Sequence, residues 1–506
     1  MPDRRTASLA APPRWAFLVA VAAGIAARLW QYLGNPSLWI DELALVEDVL
    51  HIPLRDLVAR PLPLDQVAPP VFLAALKASA AWLGTDERAL RVFPFACAVL
   101  SVPLFAALAR RILRPWTALL AAAIFSLLPL LISWTASVKQ YSTDVAASLA
   151  VMLAALGLLA GDPRPRRVAA AAAAGVLAPW LSHPAVFTVA GCGAAVVSVR
   201  LLAAPRRLPA PVAATVLAWG TSCAAAAALA RSLLTDSTRE YMARFWEPSL
   251  PDAETLVLAA VGGFLLARRA GRAAAVPIAP VAVTLAAAAA HAYPFSGRAI
   301  LFLVPVFVLA AAEAGALAAE GIARLGAPRP AVAALIVLPL LAAFARNLPV
   351  YEREEMRPLL TRLAARLEPD DSIYVYYGAA RGFRFYAPRA RLEGTRASIG
   401  GCHRGDTRAY LRELDALRGR PRVWVVVAHP TTRLREVPAI RSYLESIGSR
   451  REEILETGAS AELFDLAEPA RLAAASADSF PITPVASSEE AGYGCAHGPI
   501  GRAPWD

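Results

Sequence analysis

Long apolar runs, separated by short clusters of arginine, are the feature that most constrains how this chain can fold. A helix needs about 20 mostly apolar residues to cross a bilayer, and we predict about eleven such spans. The chain is 57% hydrophobic and 18% charged, whereas a soluble chain is about a quarter charged. The sequence therefore predicts a polytopic α-helical membrane protein. The predicted spans are residues 14–33, 88–108, 116–134, 143–160, 168–181, 185–202, 211–229, 255–267, 273–290, 299–318 and 330–344.

The arginine clusters occur in alternate predicted loops, for example at 110–114, 164–167 and 268–272. Because cytoplasmic loops are rich in Lys and Arg, this pattern predicts a cytoplasmic N-terminus and an outer location for everything after about residue 347. The net charge of +11 could suggest nucleic-acid binding. The arginines lie between spans and form no continuous stripe, so no nucleic-acid partner is expected.

Composition divides the chain into four predicted regions. Residues 1–13 are short and basic, and the span that follows lacks a small-residue cleavage site, so we expect a retained first helix. Residues 14–348 form the predicted membrane domain with its outer loop 34–87, and 468–506 form an irregular tail. Residues 349–467 form a predicted C-terminal soluble α/β domain, with helices at 351–367, 407–417 and 435–447 and strands at 372–377, 422–427, 451–455 and 461–466.

An acidic pair, Asp41 and Glu42, follows the first span behind the interfacial aromatic residues Trp30 and Trp39. Two adjacent carboxylates beside a bilayer are costly unless they are solvated, paired or functional. They can serve as a general base and a neighbouring acid that orients a hydroxyl or binds a cation. Alternatively, Asp41 starts a solvated helix, because Asp is a common capping residue.

A second polar stretch lies at an outer span entrance and contains Lys139, Tyr141 and Asp144. The lysine can hold a phosphate as a point charge, or it can anchor the span at the interface. A third stretch contains Tyr293 and Arg298, directly before an apolar run. An arginine at the outer end of a span runs against the charge bias. Phosphate binding explains it, and so does simple snorkelling.

Weaker candidates are His183, at the outer end of a span, and Trp246, in an outer loop. Both residue types are also common as satisfied polar residues or interface anchors. The sequence contains no nucleotide-binding motif in a credible context.

The cysteines fall into two groups. Three lie inside predicted spans and are expected to be core residues, namely Cys97, Cys192 and Cys223. Cys402 and Cys495 should both face an oxidising compartment, and we predict a disulfide between them. The flanking His403 and His497 also permit a metal site.

The chain resembles the GT-C superfamily of integral-membrane glycosyltransferases, especially bacterial enzymes related to protein O-mannosyltransferases, lipid A aminoarabinose transferases and lipopolysaccharide-core galacturonosyltransferases. The order and sidedness of several short motifs carry this resemblance, which covers residues 14–466. One motif departs from the family, because 67–68 is Val-Ala where a polar lead is usual. The motifs lie at 39–42, 68–72, 84–94, 139–144, 293–298, 376–379 and 422–424.

The resemblance implies a GT-C-like fold and an inverting transfer from a polyprenyl-phosphate-sugar donor at the outer face of the membrane. It implies that Asp41 is the general base and that Glu42 orients the acceptor or helps to bind a cation. Lys139 and Arg298 would hold the lipid phosphate, and Asp144 would contact the sugar or a divalent cation. The remaining expected substrate contacts are Tyr141, His183, Tyr293 and Trp246. The expected partners are the donor, membrane lipids and a glycan, lipid or protein acceptor.

Two other classes of function remain open from the sequence. A transporter or flippase for a lipid-linked sugar predicts charged residues near mid-span and facing broken helices, whereas the acidic residues here lie at span ends. A membrane-anchored binding protein would place its function in the α/β domain, where the sequence shows no cluster of reactive residues.

Overall fold

The structure is a computed structural model that describes most of the chain. For residues 253–261 it describes the backbone alone. The described residues are 11–64, 66–160, 164–204, 208–236, 238–239, 253–295, 297–324, 338–340, 342–343, 345–346, 348–404, 406–430, 436–468 and 476–482.

The chain packs into two compact units. The first, which we call the span unit, comprises Met1–Asn35, Leu54–Pro61 and Val67–Val350. The second, the α/β unit, comprises Pro36–Pro53, Leu62–Gln66 and Tyr351–Asp506. The segment with the acidic pair therefore packs with the C-terminal residues, which differs from the predicted placement of loop 34–87 with the spans.

The span unit is helical, as its apolar runs predict. The first helix, α1, begins after Pro13, and several later helices begin with proline, which lacks the N–H that a helix start leaves unpaired. Its helices are α1 (Arg14–Gly34), α3 (Leu54–Ala59), α4 (Pro70–Leu83), α5 (Glu87–Ile112), α6 (Pro115–Leu127), α7 (Pro129–Ser133), α8 (Tyr141–Leu159), α9 (Pro165–Leu181), α10 (Ala185–Ala203), α11 (Ala210–Ser232), α12 (Ala253–Ala270), α13 (Ala275–Ala289) and α14 (Val304–Arg324).

Eight stretches among the described residues are long and apolar enough to cross a membrane, so the chain is a multi-pass membrane protein. The predicted spans 255–267 and 273–290 share one of these stretches, Gly262–Ala289. The predicted span 168–181 lies in α9, which has 17 residues and is not among the eight. Most of the predicted span 330–344 lies outside the described residues. The eight stretches are Arg14–Gly34, Glu87–Ile112, Pro115–Ser133, Tyr141–Leu159, Ala185–Ala203, Ala210–Ser232, Gly262–Ala289 and Gly297–Arg324.

Small residues let the helices of the span unit approach closely. A Cβ atom added at Gly191 of α10 would lie 2.5 Å from the backbone nitrogen of Pro280 in α13. Gly24 of α1 packs in the same way on Ser126 of α6, where an added Cβ would lie 2.8 Å from the serine Cβ. Close packing of this kind supplies the attraction between helices in a bilayer, where burial of apolar surface supplies little.

The α/β unit contains a five-stranded sheet with the strand order β2-β1-β3-β5-β4. Strands β1, β2 and β3 are parallel, and β5 pairs antiparallel with β3 and β4. The strands are β1 (Ser372–Val375), β2 (Arg396–Ile399), β3 (Val423–Ala428), β4 (Ser449–Glu456) and β5 (Ala459–Asp465). The helices are α2 (Ile40–His51), α15 (Met356–Ala364), α16 (Ala380–Tyr386), α17 (Thr407–Asp415) and α18 (Glu436–Ile447).

A polar cluster ties the start of β1 to the start of β3. Arg422 donates from Nε to Asp371 Oδ1 at 2.6 Å, and the buried Trp424 indole donates to Asp371 Oδ2 at 2.9 Å. Burial by itself would raise the pKa of Asp371, but these hydrogen bonds lower it below its usual value. The cluster satisfies a buried carboxylate and fixes the pairing of two parallel strands.

The predicted α/β class is confirmed, and the strands predicted at 372–377, 422–427, 451–455 and 461–466 correspond to β1, β3, β4 and β5. The prediction missed β2, at residues 396–399. Its sequence is Arg-Ala-Ser-Ile and most of its side chains are exposed, so it lacks the continuous apolar run that marks a buried strand.

Replacing Gly191 by alanine should destabilise the span unit by about 1–3 kcal/mol, because the added methyl group meets backbone and cannot be accommodated by a rotamer change. Gly193 lies on the same helix, and its added Cβ would find its nearest neighbour at 3.6 Å. Gly193→Ala is therefore the matched control and should keep or raise stability, because alanine favours a helix. Thermal unfolding of the two variants in detergent tests whether Gly191→Ala is less stable than Gly193→Ala. Equal melting temperatures would contradict the prediction.

Candidate active site

The acidic pair lies in the first turn of α2 in the α/β unit. Asp41 is half-buried, whereas Glu42 is 1% exposed. Acidic residues in a first turn are favourable because the N-terminus of a helix carries a partial positive charge. The two carboxylates are adjacent in sequence, but only that of Asp41 retains substantial exposure to solvent.

Glu42 has a local structural use. Its Oε2 accepts a hydrogen bond from the backbone N–H of Trp39 at 3.3 Å, which is how a glutamate at the third helical position caps its own helix. Its predicted part in acceptor or cation binding stays a prediction. Asp41 is the residue of the pair that is better placed to meet an incoming group.

The middle of α2 is held by an ion pair. Arg381 of α16 donates from Nη1 to Glu47 Oε2 at 2.6 Å, and both side chains are largely buried. Burial raises the pKa of Glu47, and the charge of Arg381 opposes that rise. The pair fixes α2 against α16 along the part of the helix that follows Asp41.

In the span unit, the turn between α7 and α8 carries the second predicted stretch. Lys139 and Tyr141 are 7% and 9% exposed. The ring of Tyr141 packs edge-on against Trp134 with centroids 4.7 Å apart. The guanidinium of Arg298 lies 5.9 Å from the centroid of the same tyrosine ring, within the range of a cation–π contact. The structure therefore brings two predicted site residues, Tyr141 and Arg298, together.

Several buried polar atoms in this part of the span unit have no hydrogen-bond partner among the described residues, including the hydroxyl oxygens of Ser137 and Thr143. Two of them belong to titratable side chains, namely Oδ1 of Asp144, in the first turn of α8, and Nε2 of His183, between α9 and α10. The rest of each group is bonded: the Ser182 side chain hydrogen-bonds to Asp144, and the His183 ring hydrogen-bonds to the main chain of Ala68. A buried polar atom without a partner costs about 1–3 kcal/mol, so these atoms are candidates for contact with a ligand.

Tyr293 lies close enough to Asp144 and Tyr141 to interact with both electrostatically. Its hydroxyl donates to the carbonyl of Ala299 at 2.8 Å. Burial first, and then these two neighbours, raise the pKa of Tyr293 well above its usual value, so the phenol stays protonated at neutral pH. Its ring packs edge-on against Phe187 at 4.8 Å between centroids.

The backbone at residues 67–68 supplies polar groups although both side chains are apolar. Gln140 donates from Nε2 to the carbonyl of Val67 at 3.3 Å, and the main chain of Ala68 bonds to His183. Backbone groups are polar whatever side chain they carry. Val67 and Ala68 therefore orient the polar side chains of Gln140 and His183 although their own side chains are apolar.

One buried cation was not singled out from the sequence. Arg28 of α1 is 1% exposed, and its Nη1 donates to the carbonyls of Gly24 and Ser126, each at 3.0 Å. The Ser126 carbonyl is available because it lies in the last turn of α6, which ends at Leu127, and the last carbonyls of a helix have no partner within it. A lone arginine inside an apolar span was the signal that could have identified it.

The remaining predicted residues concern metal binding, the disulfide and the outer loop. Among the described residues, no group of three or more His, Cys, Asp or Glu side chains is arranged to hold a metal ion. The expected divalent cation stays a prediction. Cys402 is disulfide-bonded and His403 bonds to Glu413 at 2.8 Å. Trp246, Cys495 and His497 lie outside the described residues, so the predicted pairing of Cys402 with Cys495 stays a prediction.

Comparison with known proteins identifies one family and several similar structures. Residues 67–218 match the family described as dolichyl-phosphate-mannose-protein mannosyltransferase. No functionally curated protein shows significant sequence similarity. ArnT from Cupriavidus metallidurans in the apo state is 13% identical, with a TM-score of 0.45 over 89% of this chain and 98% of that chain.

Two further solved structures are similar to the chain. ArnT bound to undecaprenyl phosphate is 13% identical with a TM-score of 0.41, over 89% of this chain and 98% of that chain. The archaeal oligosaccharyltransferase AglB from Archaeoglobus fulgidus, in complex with an inhibitory peptide and a dolichol-phosphate, is 13% identical. Its TM-score is 0.45, over 89% of this chain and 74% of that chain.

The pH dependence of stability should report the burial of His183. Burial lowers the pKa of His183 to about 4, below the value of about 6.5 expected in the unfolded chain. Between these values the unfolded chain binds more protons than the folded one, so the free energy of unfolding falls as the pH is lowered from about 6.5 to about 4. The loss should be about 1–3 kcal/mol.

His183→Asn removes the titrating ring and should reduce this loss. The exposed His51 provides the matched control, His51→Asn, which should keep the wild-type slope. The change of stability with pH is measured from the melting temperatures of wild type, His183→Asn and His51→Asn between pH 7.5 and 4.5. A His183→Asn protein with the wild-type pH slope would show that the ring is not buried in its neutral form.

Proposed function

We propose that the protein is a glycosyltransferase of the GT-C superfamily, supported by the family match over residues 67–218. It transfers a sugar from a polyprenyl-phosphate-sugar donor to an acceptor hydroxyl with inversion. The acceptor is a glycolipid, a polysaccharide or a protein, and the transferred group is a hexose or a pentose. The structures of ArnT with undecaprenyl phosphate and of AglB with a dolichol-phosphate contain lipid phosphates of the class proposed here.

The observation that carries this proposal is that two buried titratable side chains of the span unit, Asp144 and His183, each have an atom without a hydrogen-bond partner among the described residues. Oδ1 of Asp144 accepts hydrogen bonds, and so does Nε2 of a neutral His183, because the other ring nitrogen carries the proton that bonds to the main chain of Ala68. Sugar hydroxyls can donate to both kinds of atom, so a sugar is a suitable ligand for them. A bound sugar would supply the hydrogen bonds that these buried atoms lack and so lower the free energy of the folded state. A lipid tail has no polar groups and cannot do this.

The span unit also contains two positively charged side chains that suit a phosphate leaving group. We assign Lys139 and Arg298 to the lipid phosphate, with Tyr141 and Tyr293 as substrate-binding residues around it. Two cations near the phosphate stabilise the negative charge that grows as the glycosidic bond breaks. Arginine can bind two phosphate oxygens at once, whereas lysine acts as a point charge. No nucleotide is required, because the lipid phosphate is itself the leaving group.

The reaction then proceeds by direct displacement. Asp41 takes the proton of the acceptor hydroxyl as its oxygen attacks the anomeric carbon. The bond from that carbon to the phosphate oxygen breaks through an oxocarbenium-like state, and the polyprenyl phosphate leaves with the electron pair. Attack from the face opposite the leaving group inverts the anomeric centre. A general base of this kind contributes about 100- to 10,000-fold to the rate.

We further propose that the protein lies in the cytoplasmic membrane with its N-terminus inside. The alternating arginine clusters at 110–114, 164–167 and 268–272 support this orientation. The acidic helix and the α/β unit then lie outside the cytoplasm, and transfer takes place on the outer face. This placement also suits the disulfide at Cys402, since disulfides persist in oxidising compartments.

Asp41→Asn should reduce transfer at least about 100-fold while the protein stays folded, because asparagine cannot accept the proton. Purified protein in detergent would be given radiolabelled polyprenyl-phosphate sugars and a membrane extract as acceptor. Asp56→Asn is the matched control, because Asp56 forms a surface ion pair with Arg60 and should leave turnover unchanged. Near-normal transfer by Asp41→Asn would remove Asp41 as the base. Absence of transfer by folded wild type with every donor would favour lipid transport instead.

Arg298→Ala should raise the KM for the donor about 10- to 100-fold, the range expected for loss of a hydrogen bond to a charged group. Steady-state kinetics over a range of donor concentrations measure this change. Arg60→Ala removes an arginine that is exposed and serves as the control. An unchanged donor KM in Arg298→Ala would contradict its phosphate role.

A further inference from the structure

The backbone just before Asp41 is held by side chains from distant parts of the α/β unit. Residues 37–40 donate from four consecutive main-chain N–H groups to side-chain acceptors. Only one of these acceptors, Glu42, belongs to the same helix. The others lie more than 300 residues further along the sequence, at Glu354, Glu355 and Tyr386.

Glu355 binds Ser37 through both of its carboxylate oxygens. Oε1 accepts from the Ser37 backbone N–H and Oε2 accepts from the Ser37 hydroxyl, each at 2.9 Å. The Ser37 hydroxyl in turn accepts from the backbone N–H of Arg357 at 3.1 Å. The Leu38 N–H donates to the hydroxyl of Tyr386 at 2.7 Å. These bonds fix both the position and the direction of the chain as it enters α2.

Glu354 binds the first residue of α2 itself. Its Oε2 accepts from the Ile40 N–H at 3.0 Å, and its Oε1 pairs with Nδ1 of His429 at 2.7 Å. His429 directly follows β3, so the contact runs from the central sheet through Glu354 to the N-terminus of α2. Glu354 is 7% exposed, and a buried carboxylate bonded on both oxygens has little freedom to rotate.

These contacts concern a helix start, where the first N–H groups have no partner within the helix. A serine or aspartate at the cap position usually accepts from the second or third residue of a helix, but residue 39 is tryptophan, whose ring has no acceptor oxygen. At α2 the Trp39 N–H bonds to Glu42 and the Ile40 N–H bonds to Glu354. The bonds at Ser37 and Leu38 hold the chain just before the helix. Asp41 is the next residue after Ile40, so any movement of the Ile40 N–H moves the Asp41 side chain with it.

We infer that Glu354 and Glu355 are positioning residues, which hold the first turn of α2 so that Asp41 keeps one orientation. The inference rests on the proposed function, because Asp41 has a reaction to orient only if it is the base. It adds a role for the α/β unit, which supplies the anchors of the catalytic helix. Neither glutamate needs to contact substrate.

Hydrogen exchange in the full-length protein tests the anchor without any turnover. In Glu354→Ala the amides of residues 37–41 should exchange about 10-fold faster than in wild type, the change expected for loss of a hydrogen bond to a charged group. Glu352→Ala is the matched control. Glu352 lies two residues before Glu354, but it accepts from Thr457 Oγ1 at 2.8 Å and not from the residues before α2. Equal exchange in the two alanine variants would overturn the anchor.

Turnover tests the consequence for chemistry. Glu354→Ala should lower kcat roughly 10- to 100-fold, as a small misplacement of a catalytic group does, with the donor KM and the melting temperature little changed. Glu354→Gln should restore most of kcat, because its amide oxygen can still accept from Ile40. A purely structural loss would lower the melting temperature and kcat together and would not separate the two variants.

The two proposals fail in different ways. Faster exchange with an unchanged kcat in Glu354→Ala would overturn the positioning role while leaving the transferase in place. A wild-type protein that transfers no label would end the proposed function, and the anchor would then be supported or overturned by hydrogen exchange alone.

Discussion

The N-terminus of a helix leaves backbone N–H groups that the helix cannot satisfy, and at α2 this requirement organises the α/β unit around the acidic pair. With tryptophan at the cap position, Glu354 accepts from the Ile40 N–H, and Glu355 and Tyr386 bind the two residues that precede the cap. Glu354 and Glu355 lie directly before α15, and the sheet follows that helix in sequence. Residues 36–53 consequently pack with the C-terminal part of the chain, although they follow the first span in sequence.

A different physical constraint governs the span unit. Its helices are buried in apolar surroundings, where an unsatisfied polar atom finds no water and so raises the free energy of the folded state. Some polar groups there bond to the backbone, as Nη1 of Arg28 does to the carbonyls of Gly24 and Ser126. The Nε and Nη2 atoms of the same side chain have no partner among the described residues. Asp144 and His183 each keep one atom without a partner among the described residues. A polar ligand that bonds to these two atoms would remove the free-energy cost of burying them without a partner.

The adjacent acids Asp41 and Glu42 illustrate how neighbours in sequence acquire different uses. Successive residues on a helix point about 100° apart, so one side chain can turn back to the helix start while the other faces away. Glu42 caps the Trp39 N–H and is buried, whereas Asp41 stays half-exposed. Helix capping therefore belongs to Glu42, and the proposed proton transfer to Asp41, a distinction that the Trp-Ile-Asp-Glu motif by itself does not make.

The sequence by itself determined the membrane class, most of the spans and the α/β character of the C-terminal part, because length and apolar period are local properties that survive in any context. It also identified Tyr141, Asp144 and Arg298 as residues of interest. Only the tertiary structure decided that 36–53 belongs with the sheet, that β2 is an edge strand, and that Glu354 and Glu355 hold the helix of Asp41. The first and last of these outcomes depend on hydrogen bonds between residues more than 300 positions apart, and no local pattern records which distant acceptor an N–H group will find.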